Sequence, residues 1–164
     1  MKKKKPVIMI ALDTSTSDTG YSVWKNGNLI EYDNICPDPK KKLPSAIRRQ
    51  KMTMEIKALL LKYKPDIISI EFTSVLKNAK TQRSLDRLLG IIECYAWENN
   101  VDYYEYPPTQ WRKSVQGDTV IPSGRDEKKK WDIQRVKDIF GIDTDNDNTA
   151  DGILIGYAHL CRFD

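Results

Sequence analysis

The sequence predicts an α/β fold organised around one mixed sheet, and three observations carry that prediction. Residues 7–12 and 67–72 are short, almost continuous apolar runs, the pattern of strands covered on both faces. Leu85, Leu88, Leu89, Ile92, Tyr95 and Ala96 recur at helical spacing. Between the first apolar run and the first helix stands Asn26-Gly27, the strongest short hairpin signal.

Each element follows in order. The run at 7–12 is the first strand, and residues 20–25 alternate as a second. After the Asn26-Gly27 turn a third strand spans about 29–35. Pro44-Ser45 opens a long helix that ends near Tyr63, ahead of Pro65. A fourth strand covers 67–72, a helix runs from about 80 to 99, and Asn99-Asn100 stops it. Residues 101–106 give the fifth strand, and Pro107-Pro108 leads into a short helix near 111–115. A loop at 117–126 contains Gly117, Pro122 and Gly124, and a basic helix follows over about 126–140. A polar stretch at 145–148 precedes a last helix, 149–161. Three strands joined by short turns and then alternating helices and strands argue one α/β unit with a mixed sheet.

Composition narrows the function. The chain has 164 residues, 40% of them hydrophobic, enough for one core. Residues 1–6 are expected to be a basic disordered tail, and 7–164 a single domain. No stretch approaches the roughly 18 apolar residues a membrane helix needs. The N-terminus lacks the long apolar region of a secretory signal, so a cytoplasmic protein is expected. Cys36, Cys94 and Cys161 are odd in number and widely spaced, as for reduced thiols in a cytosolic core. With those three and one histidine, His159, most zinc chemistry is excluded. A catalytic metal would need oxygen ligands, which points to magnesium or manganese. His159 itself is expected to be packed and hydrogen-bonded.

Net charge is only +4, but the positive charge is segregated. Lys40, Lys41, Lys42, Arg48, Arg49 and Lys51 stand with no acid among them, and Lys128-Lys129-Lys130 opens the basic helix. Such clusters suit a polyanion, although any one of them alone also suits a solvated surface.

Three acids interrupt apolar runs: Asp13 after the first strand, Glu71 inside the fourth, and Asp151 at the start of the last helix. A buried carboxylate must be paired, protonated or bound to a cation. Each has a structural alternative. Asp13 could be a turn residue, Glu71 could pair with Arg83 or Arg87, and Asp151 could favour a helix N-terminus. Together they are better explained as a metal site. Phosphodiester hydrolysis suits such a cluster, with two magnesium ions about 4 Å apart. Asp13 would bridge them, and Glu71 and Asp151 would each complete one.

The segments Ala11-Leu12-Asp13-Thr14-Ser15, Ile68-Ser69-Ile70-Glu71 and Asn148-Thr149-Ala150-Asp151-Gly152 resemble those of the RuvC group of Holliday-junction resolvases. Lys77-Asn78-Ala79, Gly90, Trp111-Arg112-Lys113 and Lys128 to Lys130 match further family features in the same order, so the resemblance covers about residues 7–160. It implies an RNase H-like three-layer α/β/α fold with a five-stranded mixed sheet. It also implies a homodimer that nicks two strands of a four-way junction, leaving 5′-phosphate and 3′-hydroxyl ends, with two Mg2+ per site and Mn2+ able to substitute. The expected DNA surface comprises Lys77, Lys80, Arg83, Arg112, Lys113, Lys128, Lys129 and Lys130. The helix bearing Leu85 to Ala96 is the candidate dimer surface, though packing on its own sheet explains the same stripe.

Two departures qualify the resemblance. The family places a fourth metal-site acid or histidine where this chain has Asn148, and Asp147, one residue earlier, shares the helix face of Asp151. Bacterial members carry an aromatic three residues after the central Glu, where this chain has Ser74, and Phe72 would point the other way. The substrate is therefore widened to branched DNA, including Y-junctions and flaps, as in phage relatives. The opening hairpin also resembles that of actin-like sugar kinases and TsaB-like proteins, which bind phosphate. A DNA-binding module with a decayed site is the remaining alternative.

Overall fold

The computed structural model describes residues 5–72 and 78–163. Its elements are β1 (Ile8–Asp13), β2 (Thr19–Lys25), β3 (Asn28–Ile35), α1 (Ser45–Tyr63), β4 (Ile67–Glu71), α2 (Ala79–Glu98), β5 (Asp102–Tyr106), α3 (Pro108–Val115), α4 (Arg125–Phe140) and α5 (Asp147–Phe163). The five strands lie in the order β3-β2-β1-β4-β5. β1, β2 and β3 are antiparallel neighbours, while β4 runs parallel to both β1 and β5. The sheet is mixed, as the sequence predicts. Asn26 (φ 52°) and Gly27 (φ 79°) both occupy the left-handed region, which a two-residue turn between twisted strands requires.

Strand alternation distributes the core over two faces. Ile10, Leu12, Val23, Ile68 and Ile70 pack with Met52, Ile56 and Leu60 of α1 and Leu88, Ile92 and Ala96 of α2. Met9, Ala11 and Trp24 pack on the other face with Trp111 of α3, Val136 of α4 and Ala150, Ile153, Leu154 and Ala158 of α5. The result is the three-layer α/β/α arrangement. The same parity places Asp13 with Met9 and Ala11, and Glu71 with Ser69, on the α5 side.

Local chemistry sets the helix ends. Asn78 accepts from Lys80 N and Thr81 N and so caps α2, while α1 closes through Lys64, whose N–H reaches Leu60 O at 2.8 Å. α3 begins at Pro108, earlier than expected, because proline is preorganised for a first helical position. α5 likewise begins at Asp147 rather than at 149. Asn146 supplies the cap: its Oδ1 accepts from Thr149 N at 3.0 Å, and its carbonyl accepts from Ala150 N. Asp147 and Asn148 therefore stand in the first turn.

Several expectations are modified. Residues 1–4 of the expected tail lie outside the described residues, and Lys5 pairs with Asp66 at 2.8 Å. The cysteines are free, but Cys94 and Cys161 are exposed and Cys36 half-buried, so none belongs to the core. Leu85, Leu88, Ile92 and Ala96 of α2 are consumed by the molecule's own sheet, which leaves Ile91 and Trp97 as the exposed apolar side chains of that helix. His159 is buried, and its Nδ1 lies 2.8 Å from the Tyr106 hydroxyl. Among the described residues no helix is long and apolar enough to cross a membrane.

Candidate active site

β1 and β4 are parallel and in register from Met9↔Ile67 to Leu12↔Ile70, so their last residues, Asp13 and Glu71, end side by side at the same edge of the sheet. Carboxyl ends of parallel strands are where open α/β sheets carry their sites. α5 crosses this face and brings Asp151 to the same place, one helical turn beyond Asp147 and Asn148. The five residues line one cleft of about 370 Å³ together with Arg112, Ser123, Arg125, Lys128 and Lys129. Polar contacts inside α5's own footing hold the approach: Ser22 Oγ donates to Gly152 O at 2.7 Å, and Trp24 Nε1 donates to that hydroxyl at 2.8 Å.

The electrostatics are those of crowded acids. Burial pushes the Asp13 carboxyl well above the usual range, and Glu71 and Asp147 add to the effect. Burial does the same to Asp151, reinforced by Asp13 and Asp132. Asp151 Oδ1 is buried without a hydrogen-bond partner. Separate donors face the remaining carboxylate oxygens. Trp111 Nε1 donates to Glu71 Oε1 at 3.1 Å, Arg112 Nη2 lies 3.5 Å from Asp151 Oδ2, and Lys129 pairs with Asp147. Among the described residues no three Asp, Glu, His or Cys side chains converge closely enough to enclose an ion as they stand. The donor chemistry nevertheless fits a hard divalent cation: all the acids present oxygen, no cysteine or histidine lines the cleft, and one buried carboxylate oxygen is orphaned.

Of the expected DNA-binding residues, Arg112, Lys128 and Lys129 reach the carboxylate cleft, and Lys113 lines a neighbouring cleft with Lys128. Lys80 and Arg83 lie elsewhere, in a basic cleft between α1 and α2 with Arg49 and Arg87. Arg83 and Arg87 are thus on a different surface from Glu71, whose hydrogen bond comes from Trp111. Lys130 is exposed and lines neither of the first two clefts. Lys77 and Ser74 fall outside the described residues. Phe72 is 47% exposed and, by strand parity, turned from the Glu71 face.

Trp111 and Asp132 are buried behind the cleft, where they hold Glu71 and Arg112, and sequence reasoning gives neither of them that role. Asp132 is fully buried on α4 and takes Arg112 in a two-oxygen clasp, with Nε 3.0 and 3.1 Å from its oxygens and Nη2 at 2.9 Å. Its signal was present, since Asp132 and Val136 share the buried stripe of an otherwise basic helix. Trp111 had none at short range.

Comparison with known proteins covers the same span. The family model for crossover junction endodeoxyribonuclease RuvC matches residues 9–159. RuvC of Caldicellulosiruptor saccharolyticus is 28% identical over 160 residues, covering 93% of this chain and 91% of its own. RuvC of Ruminiclostridium cellulolyticum is 30% identical over 159 residues, with 93% and 91% covered. Among solved structures, T. thermophilus RuvC in complex with a Holliday junction substrate superposes with a TM-score of 0.72 at 16% identity, covering 96% of this chain and 94% of that one. Fowlpox virus resolvase, in complex with Holliday junction DNA, gives 0.57 at 16% identity, with 92% and 97% covered.

Proposed function

The chain belongs to the RuvC family of crossover junction endodeoxyribonucleases, and from that premise we propose that it nicks four-way or otherwise branched DNA at the Asp13–Glu71–Asp151 cluster, with magnesium bound there. The observation that carries the reading is the meeting of Asp13, Glu71, Asp147 and Asp151 in one cleft whose other wall is Arg125, Lys128 and Lys129. Acids at the floor suit a cation, and bases at the rim suit a phosphate backbone. Bound magnesium supplies Lewis-acid stabilisation of the charge that builds on the scissile phosphate. Asp13, flanked by Glu71 on the sheet and by Asp151 across α5, is the residue we assign to both ions of a pair. Glu71 and Asp151 are assigned to one each, and Asp147 to the fourth position ahead of Asn148, because it carries a charge on the same helix face. Manganese, with the same preference for oxygen, is expected to substitute.

Lys128 lines both clefts and is half-buried, so it is the base we place on a phosphate beside the scissile bond. Lys128→Ala should weaken junction binding at every sequence and reduce the slope of log affinity against log salt by about one, the release of a single counterion. An unchanged slope would remove it from the DNA surface. Lys113 and Lys129 extend the same face, with Lys130 beside them in sequence but outside both clefts, while Lys80 and Arg83, with Arg49, form a second basic patch for another arm of a branched substrate.

Two symmetric nicks require two sites, so the working form is proposed to be a homodimer, with residues 7–164 as its single nuclease domain. The free thiols and the bacterial relatives support a cytoplasmic location. The decisive experiment incubates the protein and magnesium with end-labelled four-way, Y-shaped, flap and linear DNAs. Paired symmetric nicks in the four-way junction are the expected core result, and cutting of the other branched forms as well defines the broader specificity. Tight binding with no cutting of any branched form would overturn the assignment.

A further inference from the structure

We propose that Asp132 is a positioning residue that holds the Arg112 guanidinium off Asp151 and so keeps Asp151 free for a divalent cation. The inference deepens the metal-dependent reading above and rests on it. An arginine cannot shed its proton in a protein, so Arg112 is a permanent positive charge at the wall of a cation site. That is tolerable only if another anion claims it. Asp132 does so with both oxygens, its own surface wholly covered, while the nearest approach of Arg112 to Asp151 is the longer 3.5 Å. The guanidinium also lies over the Trp111 ring, 4.1 Å from its centroid, which fixes its plane. Asp151 is left with Oδ1 buried and without a hydrogen-bond partner.

A purely structural role explains the arrangement less well. A buried ion pair is a poor stabiliser compared with packed apolar side chains of similar volume, and α3 and α4 are each already anchored against α5 in the apolar cluster that holds Trp111, Val115 and Val136. The pair is useful where it stands because it neutralises an arginine beside the carboxylates without spending Asp151. Removing the Asp132 charge leaves Asp151 as the carboxylate that acts most strongly on the guanidinium, with Glu71 acting more weakly, and a cation at Asp151 must then displace it.

The test uses the purified full chain without DNA, with free Mn2+ followed by electron paramagnetic resonance and folding followed by thermal melting. Asp132→Asn should weaken Mn2+ binding by about tenfold or more, the usual scale for groups that orient metal ligands. Adding Arg112→Gln to that variant should return the affinity to within about threefold of wild type, because the displaced cation is gone. Arg112→Gln alone should bind Mn2+ at least as tightly as wild type. A merely structural Asp132 would lower the melting temperature and leave Mn2+ affinity unmoved. Wild-type affinity in Asp132→Asn, or a double variant as weak as the single one, overturns the proposal. Should Asp132→Asn fail to fold, weaker binding by Arg112→Gln alone overturns it as well. Failure of the metal reading looks different: wild type and Asp13→Asn would then bind Mn2+ equally poorly.

Discussion

Asp13→Asn should cut the rate of junction cleavage in magnesium by about 10³-fold or more while leaving junction affinity within a few-fold of wild type. The magnitude follows from losing several kcal/mol of charge stabilisation at the reacting phosphate, each ~1.4 kcal/mol being tenfold in rate. Affinity survives because binding rests on the basic rim, which an amide at the floor does not touch. The same variant should melt at a higher temperature than wild type when both are free of metal at neutral pH. Burial, Glu71 and Asp147 all oppose ionisation of Asp13, so the native carboxyl holds its proton more tightly than the unfolded chain does.

The sign of the pH dependence follows from that difference. Between the ordinary carboxylate range and the raised native values of Asp13 and Asp151, the native state binds more protons than the unfolded state, so stability falls as pH rises through this window. Asparagine removes the Asp13 share of the loss. The melting-temperature gap between Asp13→Asn and wild type should therefore widen from pH 5 to pH 7.5 and shrink or reverse when magnesium is added. Glu31 and Asp66, whose carboxyls are held low by Tyr63 and Lys5 respectively, act with the opposite sign and only in the more acidic range. Wild-type cleavage by the variant, or a gap that narrows with rising pH, would remove Asp13 from the centre of the site.

Why Asp13 and Glu71 are visible in sequence, and the contact of Trp111 with Glu71 is not, is a matter of range. A strand buried on both faces has a two-residue period and no tolerance for a bare charge, so an acid at its end announces itself. Parity then fixes its face, which is how Phe72 could be separated from Glu71 without coordinates. The helix start before Asp151 lies two residues earlier than the sequence predicts because Asp143, Thr144, Asp145, Asn146, Asp147 and Asn148 are all competent caps. Only the backbone singles out Asn146. The Trp111–Glu71 hydrogen bond joins residues far apart in the chain through the packing of α3 against α5, a tertiary fact with no local pattern. The stripe on α2 was ambiguous for a related reason, since a helix face looks the same whether its own sheet or a second copy covers it.

Gly20→Ala should be among the most damaging single-methyl changes in the molecule, though Gly20 carries no chemistry. Gly20 pairs with Asp13 across β1 and β2, and a Cβ built there would stand 1.6 Å from Asn148 O and 2.1 Å from its carbonyl carbon. From the other side, a Cβ on Gly152 would meet the Gly20 carbonyl carbon and Tyr21 N at 2.8 Å. Helix and strand are thus in backbone contact at the point where Asp151 must reach Asp13, and neither surface has a flexible side chain that can yield. The added methyl must lift the first turns of α5, and with them Asp147, Asn148 and Asp151, or bend β2 beneath Asp13. Overpacking of this severity costs about 3 kcal/mol, or roughly 6–12 °C of melting temperature for a chain of this length. Displacing the carboxylates by even about 1 Å should lower cleavage by roughly a further 10²-fold in the fraction that remains folded. Gly90→Ala separates this effect from a generic intolerance of alanine, because a Cβ there meets nothing within 4 Å and the position is inside α2, so its melting temperature should rise slightly. Measured at a temperature where Gly20→Ala is fully folded, near-wild-type cleavage would mean that the α5 approach does not set the spacing of the acids.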